Sequence, residues 1–442
     1  LFNNPPLWGG TTVRKSKPLS EHSPTPPATT PGPTTNIDSP ADGVKKAKGP
    51  LLGAIFLMAT SAIGPGFLTQ TANFTAQLGA AFAFAILASI VIDIAVQLNV
   101  WRVIGISGLR ASELGNRVAP GLGWFLTLLV CVGGLVFNIG NIAGAGLGTN
   151  AFLGVDAKVG GTLTAGIAIA FFLIKRLGLA LDYLIVGLGV LMIGLTVYVA
   201  VVSQPPVGEA LRSSVLPDEY NWLAVTTLVG GTVGGYITYA GAHRLLDSGQ
   251  TGPEHVRQVS RSSVTGIILT GIMRIVLFLA VLGVVAAGTS DLSGDANPAG
   301  AAFRIAAGEV GFRFFGMVMW AAALSSIIGA SYTSASFLVS QRPDKRFTQN
   351  VVAIVFIVIS CAAFVAIGTA PKQLLVFAGA FNGLVLPVGF TLMLYVALFR
   401  SKDLLKGYRY PKWLITAGLF ALAIAWFLAV KAFQPMWALL SA

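Results

Sequence analysis

Across 442 residues, 55% of the side chains are hydrophobic and only 10% are charged, against about 25% charged in a soluble domain, which excludes an ordinary water-soluble enzyme or binding module. The net charge of +12 does not call for nucleic acid. No aromatic–basic interleaving accompanies it, and basic loops are expected where short cytosolic turns face anionic lipid. No phosphate-binding loop, dinucleotide fingerprint or catalytic constellation is present, so neither an enzyme nor a cofactor is expected.

The chain opens with a segment rich in Pro, Thr and Ser, "EHSPTPPATTPGPTTNIDSP" from Glu21 to Pro40, expected to be disordered. The basic collar "KKAKG" follows at Lys45 to Gly49. Apolar stretches then predict eleven membrane helices, at about 52–78, 81–104, 122–150, 159–176, 182–203, 222–247, 262–287, 312–340, 350–368, 373–399 and 413–432. The fold class is an all-α, multi-pass membrane protein. Its expected divisions are a tail over 1–50, a five-helix half over 51–203, a second over 204–399, and a last helix with the carboxyl terminus over 400–442. Cys131 and Cys361 sit in apolar runs without ligand partners and read as core. Lys45, Arg102, Arg110, Arg117, Arg257, Arg261, Arg342 and Arg400 fall on one side of the membrane. The other side receives mainly Lys158, Arg212, Arg304, Arg313 and Lys372. That bias places the amino terminus in the cytoplasm and the carboxyl terminus outside.

The first span contains "SAIGPGFLTQ", Ser61 to Gln70. Gly64, Pro65 and Gly66 break the helix, because proline lacks a backbone donor and glycine tolerates non-helical torsions. The sixth span, "NWLAVTTLVGGTVGGYITYAGAHRLLDSG", repeats the device with Gly230/Gly231, Gly234/Gly235 and Gly241. First and sixth are equivalent positions in two five-helix halves, and an odd number makes the halves opposite in topology. Paired interrupted spans point to a midplane binding site; close helix packing through glycine is the competing reading.

At these breaks the sequence resembles the natural resistance-associated macrophage protein (NRAMP) family of proton-driven divalent-metal transporters. "GPGF", the stretch "VQLNVWRVIGISGLRASELGNRV" and "AHRLLDSG" carry the likeness. It implies the 5+5 inverted-repeat fold of amino-acid transporters (LeuT-type) with an eleventh helix, in a bacterial cytoplasmic membrane. The family's Asp-Pro-Gly-Asn falls on Gly64, Pro65, Gly66 and Phe67, and its Met-Pro-His on Ala240, Gly241 and Ala242, next to His243. A span-ten glutamine falls near Gly379, and an acidic pair of the proton route on Asn138 and Asn141. The family's metal ligands are therefore missing at the aligned positions.

The residues themselves suggest a different cargo. A half-helix after Gly66 would offer the N–H groups of Phe67, Leu68 and Thr69, with Gln70 extending the polar face, and a break near Tyr239 to Gly241 would add Thr238 and Tyr239 hydroxyls. This set suits a small organic acid or amide rather than manganese or iron, and the resemblance to a divergent bacterial branch of the family adds 5-oxoproline as the particular expectation. The alternatives are import of a hydrated divalent cation such as Mg²⁺, and a non-transporting sensor or scaffold. Asp93 in span two and Arg274 in span seven each cost about 2.5–3.5 kcal/mol if left in lipid. They read as a structural pair, or Arg274 as a charge beside the pathway. Ser325, Ser326, Thr333 and Ser334 are candidates for sodium coupling, or bond to their own helix, with protons as the other possible coupling ion; Asn382 with Pro387 suggests an interrupted gate helix or, equally, a simple kink. The expected partners are a small-molecule substrate and membrane lipid; the sequence leaves oligomeric state open.

Overall fold

Runs of Leu, Ile, Val, Ala and Phe that are apolar on every side form helices needing protein or lipid around their whole circumference. Among the described residues, the computed structural model is built from helices and their connections alone. Those residues are 63–174, 177–247, 249–288, 292, 294–339, 345–367 and 370–441, so the expected tail, collar and start of span one lie outside them.

Helix α1 (Pro65–Leu78) meets α2 (Phe82–Ser107) through the single 3₁₀ turn Gly79–Ala81. Gly79 and Gly108 close these helices at φ +54° and +69°, a conformation glycine supplies without a Cβ penalty. A surface helix, α3 (Ala111–Val118), starts where Glu113 accepts the Arg110 N–H at 2.9 Å. Next come α4 (Leu122–Leu153) and α5 (Ala157–Leu173), the latter capped by Asp156. Then follow α6 (Leu177–Val202) and α7 (Val207–Ser213), bent by 105° between them.

The sixth expected span is two helices, α8 (Trp222–Thr232) and α9 (Ile237–Asp247). The second half continues with α10 (Val256–Ala286), α11 (Pro298–Leu338), α12 (Arg346–Ile367) and α13 (Pro371–Phe399), and α14 (Lys412–Ser441) ends the chain. Seven described stretches qualify as membrane crossings by length and hydropathy, Pro65–Ser107 holding the first two expected spans in one.

Three local expectations change. The break in span six lies at 233–236, earlier than Tyr239 to Gly241, and Ala240 N–H already makes a regular helical bond to Tyr236 O at 2.9 Å. Pro387 lies inside continuous α13 instead of interrupting it. Helix α11 starts at Pro298, well before 312, because Asn297 caps it on Gly300 N–H at 3.1 Å and Pro298 fits a first helical turn. Gly308 (φ 66°) interrupts that leading segment.

The most extensive packing joins α4 to α11, whose glycines bring the backbones together. A Cβ added at Gly148 would sit 2.6 Å from Trp320 N. Helix α1 runs through the middle, buried from Pro65 to Thr75 among α4, α8, α10, α11 and α13. Large apolar side chains such as Leu163, Val355 and Phe420 are exposed on the periphery, as a lipid solvent permits.

Candidate functional site

Gly64 is the residue on which the site turns. It precedes α1 in an extended conformation (φ −94°, ψ −174°), no side chain caps the helix, and the first turn closes with a long 3.4 Å bond from Leu68 N–H to Gly64 O. A Cβ at position 64 would lie 2.8 Å from Ser326 Oγ of α11 and 3.8 Å from Asn141 Oδ1 of α4. Both side chains are buried, and Ser326 Oγ and both amide atoms of Asn141 lack hydrogen-bond partners. The hydroxyl of Tyr236, a residue of the second break, neighbours Asn141. Its ring packs edge-on against Phe137 at 5.6 Å. The two breaks therefore converge on Asn141, with Ser326 beside it.

The opposite side of α1 is held by Gln70. Its Nε2 donates to Leu375 O at 2.8 Å, and its amide occupies the ground where side chains at Gly231 and Gly379 would begin, each Cβ falling within 2.8 Å of it. The aligned family places a glutamine near 379; here the amide arrives from span one. Asn382 pins the second break, donating to Gly133 O at 3.0 Å and Ala378 O at 2.9 Å while its Oδ1 faces Gly235. Gly235 (φ +51°) needs the absence of a side chain.

Other expected residues are placed elsewhere. Phe67 lies under the Arg274 guanidinium at 4.6 Å, and Leu68 is core. Thr69 Oγ1 is buried without a partner. Thr238, Tyr239, Ala240, Gly241, Ala242 and His243 lie in α9, past the break. There Trp101 Nε1 donates to Thr238 O at 2.9 Å, Tyr239 and His243 pack on Phe337, and His243 Nε2 accepts the Ala111 N–H at 3.3 Å. That acceptor role requires an unprotonated Nε2. Close to these residues, Arg110 also binds Asp247 of α9 at 2.8 Å.

The four hydroxyl residues of span eight do not form one cluster. Ser325 bonds to its own helix at Ala322 O, Ser326 faces Gly64, and Ser334 lies against Gly134, about 12 Å further along. Thr333 is buried one turn before Ser336, whose Oγ donates to the Thr333 carbonyl at 2.7 Å. Asn138 donates to Ser331 and Ser360, each at 3.2 Å. Sequence reasoning missed Tyr236 and Thr232, although the Gly234/Gly235 doublet marks the turn between them.

The arrangement is rich in oxygen and poor in charge. Apart from Asn141 Nδ2 and two Arg274 nitrogens, the unpartnered atoms around the breaks are oxygens: Thr69, Gln70, Asn141, Tyr236, Ser326 and Asn382 supply them. Among the described residues, no three His, Cys, Asp or Glu side chains gather as a metal cluster.

A family model described as natural resistance-associated macrophage protein-like matches residues 55–434. Membrane protein YcsG of Bacillus subtilis is 50% identical over 374 residues, covering 85% of this chain and 91% of the relative. A Haemophilus influenzae membrane protein is 49% identical, covering 86% and 95%. Among solved structures, the Eremococcus coleocola manganese transporter superposes with TM-score 0.66 at 16% identity, over 92% of this chain and 89% of that one. MhsT in complex with L-phenylalanine gives 0.63 at 18%, over 87% and 98%.

The chain thus has the inverted-repeat helical fold and is a multi-pass bacterial membrane protein of the transport class, not a catalytic enzyme. The expected organic acid or amide is corrected. The solved structures that superpose along most of the chain include a manganese transporter, at 16% identity, and the unpartnered groups at the break are mostly oxygens. Arg274, which would have gripped a carboxylate, already bonds Thr232 and stacks on Phe67.

Proposed function

Because the chain belongs to the natural resistance-associated macrophage protein-like family, we propose that it is a secondary transporter carrying a divalent cation of the Mg²⁺ or Mn²⁺ kind. The ion passes between the two broken helices with part of its water shell retained. The observation that carries this reading is the approach of Asn141 Oδ1 and Ser326 Oγ to Gly64, both oxygens buried and unpartnered. In the related family the first break supplies a carboxylate; here a glycine opens the same ground to oxygens from α4 and α11.

Hard divalent cations take oxygen ligands, and Mg²⁺ in particular gives up its waters reluctantly. A shell of amide, hydroxyl and water oxygens fits that preference without a carboxylate. The likeness to a manganese transporter supports the divalent class. Transport follows from rocking one helix set against the other about the fixed midplane site. The site lies in the bacterial cytoplasmic membrane, with the amino terminus inside by the loop-charge bias.

Uptake into vesicles containing a divalent-sensitive dye tests the reading. Purified protein should admit Mn²⁺ or Mg²⁺ faster than protein-free vesicles. Asn141→Ala should lower the rate at low ion concentration by about tenfold, as loss of one buried ligand of about 1.4 kcal/mol would do. Divalent flux no greater than through bare lipid would contradict it.

A further inference from the structure

Two arginines are buried among the described residues, and only one of them has a counter-charge. Arg274 of α10 is acted on by Asp93 of α2. Arg102, in the last two turns of α2, is 8% exposed and makes no ion pair among the described residues. Its Nη2 donates to Ser260 Oγ of α10 at 2.6 Å, and its Nε is buried with no partner. The guanidinium lies 5.9 Å from the centre of the Tyr410 ring, just before α14. A guanidinium carries five N–H donors, so one hydrogen bond leaves most of them idle around a buried charge. The carboxylates of the neighbouring connections are engaged elsewhere: Asp247 with Arg110 at 2.8 Å, Glu254 beside His255 at 3.6 Å, and Asp403 with Arg400 at 2.6 Å.

The surroundings of Arg102 are firmly built and basic. Helix α2 packs against both α10 and α14. Asn99 fixes the start of α14 to it, donating to Leu414 O at 3.3 Å and accepting from the Tyr410 hydroxyl at 2.9 Å. Arg257 and Arg261 are exposed on α10, one turn apart and next to Ser260. Arg409 and Lys412 are exposed on either side of Tyr410. Further along the same face of α10 the exposed side chains become apolar, with Ile268, Ile272 and Ile275 at helical spacing after Arg261. Helix α14 repeats this order, Lys412 giving way to exposed Trp413 and Phe420. Cationic groups followed by an apolar stripe match a lipid with an anionic headgroup, and tryptophan favours the headgroup level. A free anion would answer the charges and leave the stripes unexplained.

We propose that Arg102 is the centre of a binding site for an anionic phospholipid of the phosphatidylglycerol kind. The lipid phosphodiester accepts from the idle donors of Arg102, and the acyl chains lie along the exposed faces of α10 and α14. The planar guanidinium fork suits two phosphate oxygens at once. The surrounding arginines and lysine select a headgroup of net negative charge over a zwitterionic one. The loop-charge bias puts this site in the cytoplasmic leaflet. It holds whatever cargo the protein carries.

Native mass spectrometry of the delipidated full-length protein, titrated with phosphatidylglycerol or with phosphatidylethanolamine, tests the site. One phosphatidylglycerol should be held about tenfold more tightly than phosphatidylethanolamine, and should raise the melting temperature in detergent. Arg102→Gln should lose both the preference and the rise. A substitution at a buried residue can also disturb folding, so the exposed pair Arg409→Gln/Lys412→Gln gives a second reading. It should weaken phosphatidylglycerol binding by about fivefold or more, with the melting temperature of the lipid-free protein unchanged. Arg313→Gln, exposed on the opposite side of the membrane by the loop-charge bias, should alter neither measurement. Equal retention of the two lipids, or native selectivity in Arg102→Gln, would overturn the proposal. An equal rise in melting temperature with inorganic phosphate alone would give the pocket to a free anion and overturn the lipid assignment.

Discussion

Gly64 shows how much a missing side chain can do. Its hydrogen leaves Ser326 Oγ and Asn141 Oδ1 beside the start of α1, and a methyl there would push on the Ser326 hydroxyl. Gly64→Ala should therefore leave the protein folded, with Mn²⁺ affinity reduced about tenfold or more; unaltered affinity would show that the hydroxyl is not a ligand. His243→Ala separates the two ends of span six. It removes the acceptor of the Ala111 N–H and should lower the melting temperature, while Mn²⁺ affinity measured on the folded protein stays unchanged. At this scale the sequence was only half legible. "GPG" announced the first break because proline and glycine act locally. That Asn141 and Ser326 would flank it could not be read, since those contacts join residues far apart in the chain. Gln70 was singled out as polar, but its place over Gly231 and Gly379 emerges only from packing.

Among the elements, the α8–α9 break depends on Gly235 at φ +51° with Asn382 against it. Gly235→Ala should cost at least about 1–2 kcal/mol, from left-handed strain alone, and slow transport as well. Native-like thermal stability and flux in that variant would show that the break can relax elsewhere. The sequence expected this break too late because its glycine signal was degenerate. Gly241 is helical and makes room for Trp101, Gly230 makes room for Gly379 and Gly383, and only the 234/235 pair turns the chain. Pro387 left an interruption and a simple kink equally open. A proline in a buried helix can be accommodated without a gap, and α13 continues through it.

At the scale of the whole molecule, the helical, multi-pass class followed from apolar length, and the inverted repeat from resemblance and two interrupted spans at equivalent positions. The cargo did not follow. Scoring the aligned positions one at a time registered lost carboxylate, thioether and imidazole, but missed oxygens delivered from α4 and α11. The long α4–α11 contact is the frame on which those oxygens are aligned. Gly148→Ala would drive a methyl against Trp320 N and Gly316 O, backbone atoms that cannot swing aside. It should destabilise the protein by about 1–3 kcal/mol, read as a lower melting temperature in detergent. The most direct measurement of the central claim is anomalous X-ray scattering from crystals of the protein equilibrated with Mn²⁺. The account predicts one strong manganese peak beside Gly64, within ligand distance of Asn141 Oδ1 and Ser326 Oγ; a crystal whose only manganese lies elsewhere, at His243 or His255 for instance, would contradict it.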